Sequence, residues 1–271
     1  MMDKNSIGFE FEGWRLGNYA ELLKYFGELG FQLSLMEKIA LKENLDYAWH
    51  RKFHFETQGY VNGSKYSAIF KIVRPKYENY FAIREYQFTL QTGNEKAARI
   101  FDVGYCDSFH PDKLKDPITK HAAYNLICGR AVFLDDMGKW IQLDFTHSDE
   151  AGNFRIRCDS EDDRFKLEEA ISKLPIKELD DAESKARLLE SLRNGNLQSV
   201  IYNVNGVDER KYIEVSPHFK ILNIYDVYMR RELMHQDGVA QRILKEGEQK
   251  NLQPKEQDLQ SKGRKNGKHS I

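Results

Sequence analysis

Cysteine is scarce in this chain of 271 residues, and its placement closes off two kinds of site. Cys106, Cys128 and Cys158 are the three cysteines, far apart and without any Cys-x-x-Cys pair. Neither a disulfide framework nor a cysteine zinc site is expected, and a reducing cytoplasm suits the chain. Long apolar runs are missing as well. No stretch approaches the roughly 18 apolar residues that a membrane-spanning helix needs. The opening MMDKNSIGFEFEGW holds no uninterrupted apolar segment behind a basic one, so neither a secretion signal nor a membrane anchor is expected. An excess of one charge is absent: the formal net charge is −1. Duplex DNA is held mainly through counterion release by a basic surface, and the chain as a whole lacks that surplus. There is no glycine-rich phosphate loop, since Asn194-Gly195-Asn196 has no following Lys-Ser/Thr and comes after a helical pattern. No Gly-x-Ser-x-Gly elbow occurs, and Cys106 near His110 carries no local sign of activation.

What is present is enough for a core. Hydrophobic residues make up 41% and aromatics 12%, with 31% charged, the composition of a folded, strongly hydrated protein. The length allows one large domain or two small ones and a tail; two are expected. Tyr19, Leu22, Leu23, Phe26 and Leu29 recur at helical spacing from Gly17, with Asn18 as cap and Gly30 as stop. Ser34 caps a second helix carrying Leu35, Ile39 and Leu41 to about Leu45.

Beyond His50 the period changes to two. Phe53 and Phe55 alternate with polar residues, Asn62-Gly63 turns the chain, and Tyr66, Ala68, Phe70 and Ile72 resume the alternation. Pro75 interrupts, Tyr80 to Leu90 forms a third strand with its even-numbered residues on the buried face, and Arg99 to Tyr105 a fourth. Asp116-Pro117 opens a helix faced by Ala122, Ala123, Leu126 and Ile127 and ended by Gly129. Strands follow at Ala131 to Leu134, Lys139 to Phe145 and Asn153 to Cys158. A helix with Phe165, Leu167, Ala170, Ile171 and Leu174 stops at Pro175. Another, with Ala186, Leu188, Leu189 and Leu192, stops at Asn194-Gly195. Then come a hairpin through Asn205-Gly206 and a β-rich run from Phe219 to Tyr225. The expected fold class is α+β: a mostly antiparallel sheet with flanking helices, then a small helix plus three-stranded meander, then a disordered basic tail. The expected boundaries are a helical lead-in over 1–46, an antiparallel domain over 47–158, and a helical linker with the meander module over 159–230. A helix with Val239, Ile243 and Leu244 and then the disordered tail fill 231–271.

The segment GNLQSVIYNVNGVDERKYIEVSPHFKILNIYDVYMRR resembles a C-terminal module of uncharacterised proteins carried on conjugative transposons and plasmids of Bacteroidales-type gut anaerobes. Matching residues are Gly195, Asn196, Gln198, Ser199, Val200, Ile213, Glu214, Pro217, Phe219, Lys220, Asn223, Ile224, Tyr225 and Asp226. Val215-Ser216 stands where that family has Ala-Asn, and His218 where it has Gln. Less specific likeness reaches upstream to Tyr124-Asn125-Leu126, Gly129-Arg130-Ala131-Val132, Trp140 to Phe145, Gly152-Asn153-Phe154 and Pro175-Ile176-Lys177-Glu178-Leu179. The resemblance implies a mobile-element setting and no reaction, ligand or catalytic residue.

The constellations that could carry chemistry are thin. His50 and His54 are four apart, but they lie in a strand pattern without a third ligand, and the Asp135-Asp136, Asp162-Asp163 and Asp180-Asp181 pairs lack calcium-loop spacing. No metal or cofactor is expected. Rings and cations from Tyr77 to Phe88 suggest a sheet face for single-stranded nucleic acid, with Phe81 and Arg84 as its contacts. Lys262, Arg264, Lys265 and Lys268 add a basic tail with weak, salt-sensitive attraction for nucleic acid or an acidic protein. The expected function is therefore a non-enzymatic, cytoplasmic mobile-element accessory protein that binds another protein. The alternative is a nucleic-acid-associated factor in conjugative transfer or plasmid maintenance.

Overall fold

Two Asn-Gly dipeptides shape the sheets. Asn62 and Gly63 (φ 47° and 79°) and Asn205 and Gly206 (φ 54° and 79°) both take left-handed backbone, the pair of positive φ values that closes a two-residue hairpin with the twist of its strands. The first joins β1 (Lys52–Val61) to β2 (Ser64–Val73) and the second joins β8 (Gln198–Val204) to β9 (Val207–Ser216). The computed structural model describes residues 4–46, 51–76, 80–93, 95–103, 117–150, 152–160, 165–234 and 240–242. Its class is α+β, with every strand pair antiparallel.

The first sheet runs β1-β2-β3-β4, with β3 at Ala82–Thr92 and β4 at Glu95–Asp102. Its core face, led by Tyr66, Ala68, Phe70 and Ile72, is covered by α1 (Lys4–Glu28), α2 (Leu35–Asp46) and α3 (Lys120–Ile127). Phe31, just past α1, sets its ring edge-on to Tyr66, Phe70, Tyr86 and Phe88 at 5.9, 4.9, 5.5 and 6.5 Å. Asn18 lies inside α1 instead of capping it: its amide donates to the Phe81 carbonyl at 2.9 Å and accepts the Phe81 N–H at 2.8 Å. Ser34 does cap α2, exchanging hydrogen bonds with Glu37. That helix buries Leu41 and Leu45 and leaves Leu35 and Ile39 outside. Thr119, and not Asp116, caps α3 by accepting the Ala122 N–H; Asp116 lies outside the described residues.

Strand β3 departs from simple alternation. Phe81 and Ile83 are buried, and so are Tyr86, Phe88 and Leu90. Lys71 pairs with Glu85 and Ile72 with Ile83, so Arg84 is the extra residue of a bulge that reverses the parity.

The second sheet, β5 (Val132–Leu134), β6 (Lys139–Ser148) and β7 (Phe154–Ser160), is a wall shared by two cores. Val132, Leu134, Ile141 and Leu143 join the core of the first sheet. Ala131, Phe133 and Trp140 join a second core with Phe165, Leu188, Leu192, Val200, Tyr202 and Ile213. The boundary expected at residue 158 is therefore no gap in the packing.

The helix expected through Leu174 is shorter, α4 at Leu167–Ile171, although Phe165, Leu167, Ile171 and Leu174 are all buried as its pattern implied. Helix α5 (Ala182–Arg193) is capped by Asp181, which accepts the Ser184 N–H at 2.8 Å. The third sheet exceeds the expected meander: its order is β12-β11-β10-β9-β8, with β10 at Ile221–Tyr225, β11 at Arg231–Met234 and β12 at Ala240–Arg242. Residues 231–234 and 240–242 are thus strands, not helix. A buried ion pair anchors β11, Lys211 meeting Glu232 at 2.6 Å with the ammonium 5.5 Å from the Tyr202 ring centre. The remainder of the tail lies outside the described residues.

Candidate interaction site

Between β10 and β11 the register closes at Tyr225 opposite Arg231, leaving Asp226 to Arg230 as a tight loop. Asp226 is buried and organises it. One carboxylate oxygen accepts the N–H groups of Tyr228 (2.9 Å) and Arg230 (3.0 Å); the other accepts the Arg230 guanidinium Nε (2.7 Å) and faces its Nη2 at 2.6 Å. The backbone adds Asp226 N–H to the Arg230 carbonyl at 3.0 Å and Met229 N–H to the Asp226 carbonyl at 2.9 Å. Burial pushes this carboxyl up, but the backbone and side-chain donors of Arg230, the Tyr228 N–H and the arginine charge outweigh it and hold it at about 2.

The loop displays what a core would normally take in. Val227, Tyr228 and Met229 are 52%, 74% and 49% exposed, and Met229 sits at φ 61°. A left-handed backbone at a residue with a Cβ costs about 1–2 kcal/mol, so the aspartate network maintains a strained conformation. The Arg230 guanidinium lies 5.0 Å from the Tyr228 ring centre, which limits the freedom of that ring. Chemically the tip is a preorganised apolar and aromatic knob with a cation at its base.

Of the residues singled out from sequence as contacts, Phe81 and Arg84 lie within the described residues. Phe81 is 3% exposed, its ring edge-on to Phe53 at 5.5 Å and 5.8 Å from the Arg74 guanidinium. Arg84 is half-buried in the bulge, its carbonyl accepting the Val103 N–H. Tyr86 and Phe88 are fully buried. Phe81, the ring expected to stack on bases, is a core ring, because the bulge turns the odd-numbered first half of β3 inward, while Tyr86 and Phe88 are buried as their even numbering implied. Lys262, Arg264, Lys265 and Lys268 lie outside the described residues, as do His50 and Tyr77. The tip itself escaped sequence reasoning, although an aspartate opening a short loop is the signature of an Asx turn.

Other polar clusters have structural duties. Asp144 is buried at a register shift of β6 and accepts the Thr146 N–H at 3.0 Å. The hydroxyl and N–H of Thr146, against opposing burial and with His147 and Arg157 assisting, hold its carboxyl well below the usual range. His147 Nδ1 approaches Asp144 at 3.0 Å and the Thr146 hydroxyl at 2.8 Å. A catalytic relay needs hydroxyl and carboxylate on opposite ring nitrogens; here both meet the same one. A groove of about 840 Å³ between α4 and α5 has Phe133, Leu167 and Leu189 among its lining. The cations on its rim already face carboxylates: Lys185 with Glu168 at 2.6 Å, Lys166 with Glu169 at 3.3 Å, Arg193 with Asp135 at 3.4 Å. No three His, Cys, Asp or Glu side chains among the described residues are placed to hold a metal ion.

Several polar residues from α3 to β10 converge on a seam between the cores. Asn125, fully buried, donates to the Asn194 carbonyl (2.7 Å) and Asn196 Oδ1 (3.0 Å) and accepts from Arg130 (2.9 Å). Arg130 faces Glu214 at 3.7 Å, and Glu214 accepts from Tyr225 (2.6 Å) and Asn223 (3.0 Å).

Fold and tip together define an antiparallel α+β protein that presents an apolar hairpin loop braced by a buried carboxylate. Compared with family models, curated proteins and solved structures, the chain finds no match. No helix among the described residues is long and apolar enough to cross a membrane.

Proposed function

We propose that the protein is a non-enzymatic accessory factor, acting in the cytoplasm in the setting of a mobile element, whose Asp226–Arg230 tip docks into an apolar recess of a protein partner. The observation that carries this reading is the exposure of Val227, Tyr228 and Met229 on a loop that a buried carboxylate locks from inside. Exposed apolar side chains scattered singly need no explanation. Three in succession, held in a strained backbone, reduce the ordering cost of association, and that reduction favours binding. Tyrosine with a stacked arginine is also the composition that dominates binding hot spots. The resemblance to transposon-borne proteins supports the setting.

The test is affinity capture from the native host with wild type and Tyr228→Ala, each with and without nuclease. A partner that survives nuclease and whose affinity falls roughly 30-fold in the variant, about 2 kcal/mol, supports the reading. A partner retained equally by both proteins removes the tip from it.

A further inference from the structure

The first sheet has a second face, turned away from the helices, and nothing proposed above uses it. Registers place its side chains in rows across four strands. Tyr60, Lys65, Gln91 and Lys96 form the row nearest the hairpin turns, and Gln58, Ser67, Thr89 and Ala98 the next. Glu56, Ile69, Gln87 and Ile100 follow, then His54, Lys71, Glu85 and Asp102. The face is open: Tyr60 is 73% exposed and Ile69 and Ile100 are 38% and 37%, while Gln58, Lys65, Gln87, Gln91 and Lys96 are exposed too.

Charge is unevenly spread over it. At the far end Lys71 is paired with Glu85 at 2.9 Å, among His54, Glu56 and Asp102. At the turn end Lys65 and Lys96 have no acidic partner among the described residues. Glu56 lies four residues along the strand from Tyr60, about 13 Å away. The two lysines stand two strands apart, about 10 Å, with Tyr60 directly across from Lys65.

We infer that the turn end of this open face binds single-stranded nucleic acid, Tyr60 stacking on a base while Lys65 and Lys96 neutralise phosphates and the glutamines hydrogen-bond to base or sugar edges. A ring on an uncovered sheet face is accessible to an unpaired base and not to one inside a duplex. The cation spacing suits a backbone crossing the strands, and stacking on the ring is sequence-tolerant because every base has a π-face. An acidic protein would be attracted by the lysines but would gain nothing particular from Tyr60.

The test uses the full chain and fluorescein-labelled oligothymidylate and oligouridylate of about fifteen nucleotides, with a duplex of equal length as competitor. Single strands bind, the duplex competes poorly, and Tyr60→Ala weakens binding on the order of tenfold. Lys65→Gln with Lys96→Gln flattens the dependence of log affinity on log salt by about 1.4, two phosphates at about 0.7 each. A variant with Lys262, Arg264, Lys265 and Lys268 changed to Gln keeps the Tyr60 effect, which separates this face from the tail. Tyr228→Ala binds oligonucleotide as wild type does, so failure here and failure of the tip are distinguishable. No binding, equal binding of duplex, or binding indifferent to Tyr60 and the lysine pair overturns the inference. All substituted sheet positions are exposed, and unchanged melting temperatures confirm that the variants fold.

Discussion

Single residues decide both stability and display in this protein, and Met229 puts the two in opposition. Met229→Gly removes the left-handed strain and adds chain entropy to the unfolded state, a net gain of about 0.5–1 kcal/mol. It also deletes part of the exposed knob. Melting temperature should rise slightly while partner affinity falls; a loss of both would mean that the side chain serves the fold. Asp226 gives a pH signature. Its folded value of about 2 lies below its ordinary 3.8, so its contribution is fully present above the ordinary value and lost as pH falls through 3.8 toward 2. The stability gap between wild type and Asp226→Asn should therefore be open at about pH 6 and closed near pH 2; a gap independent of pH would remove charge as its cause. Gly195 is a steric case. A Cβ there would lie 2.6 Å from the Ala131 carbonyl oxygen and 2.9 Å from Val132 Cγ2, at φ 79°. Backbone on one side and a core methyl on the other leave it no room, so Gly195→Ala should lower unfolding free energy by about 3 kcal/mol, read as a shift in denaturant midpoint.

At the scale of elements, what protects an edge matters as much as what forms a strand. β8 is the last strand of the third sheet, and the segment before α5 closes it off. The Pro175 carbonyl accepts the Asn203 N–H at 2.8 Å, and both Glu178 carboxylate oxygens lie 3.1 Å from the Ile201 N–H. Glu178→Ala should cost about 1 kcal/mol and expose a pairing edge, so light scattering should show association at high concentration. The sequence made much of this scale legible. The Asn-Gly turns, the alternation of β2 and the glycine stops after α1, α3 and α5 follow from local chemistry that tertiary packing did not override. The bulge at Arg84 was not legible, because no glycine marks it and β3 is apolar at both parities; that one residue turned Phe81, the ring expected to bind, into core. β11 depends on a buried lysine and glutamate 21 positions apart, which no local pattern reveals. Tyr60 was readable only once the strand register showed which face stayed uncovered.

The molecule as a whole turns on the wall formed by β5 and β6. Adjacent residues there serve different cores, Leu134 the first and Phe133 the second. Asn125 ties α3 to the end of α5 across the same wall. If either core melts, the wall loses the packing on one of its faces, and the other core loses one side. Unfolding should accordingly be one transition, although chains of this size often show intermediates. Leu134→Ala, costing about 2–5 kcal/mol, and Phe133→Ala, costing about 3–5 kcal/mol, should each lower the same single midpoint. Far-ultraviolet dichroism and tryptophan fluorescence should trace that midpoint together. A fragment starting at residue 159 lacks Ala131, Phe133 and Trp140, leaves the second core open along one side, and should not fold alone. Two separable transitions, each moved by only one of the two substitutions, would show that the cores are independent domains that merely share a hairpin.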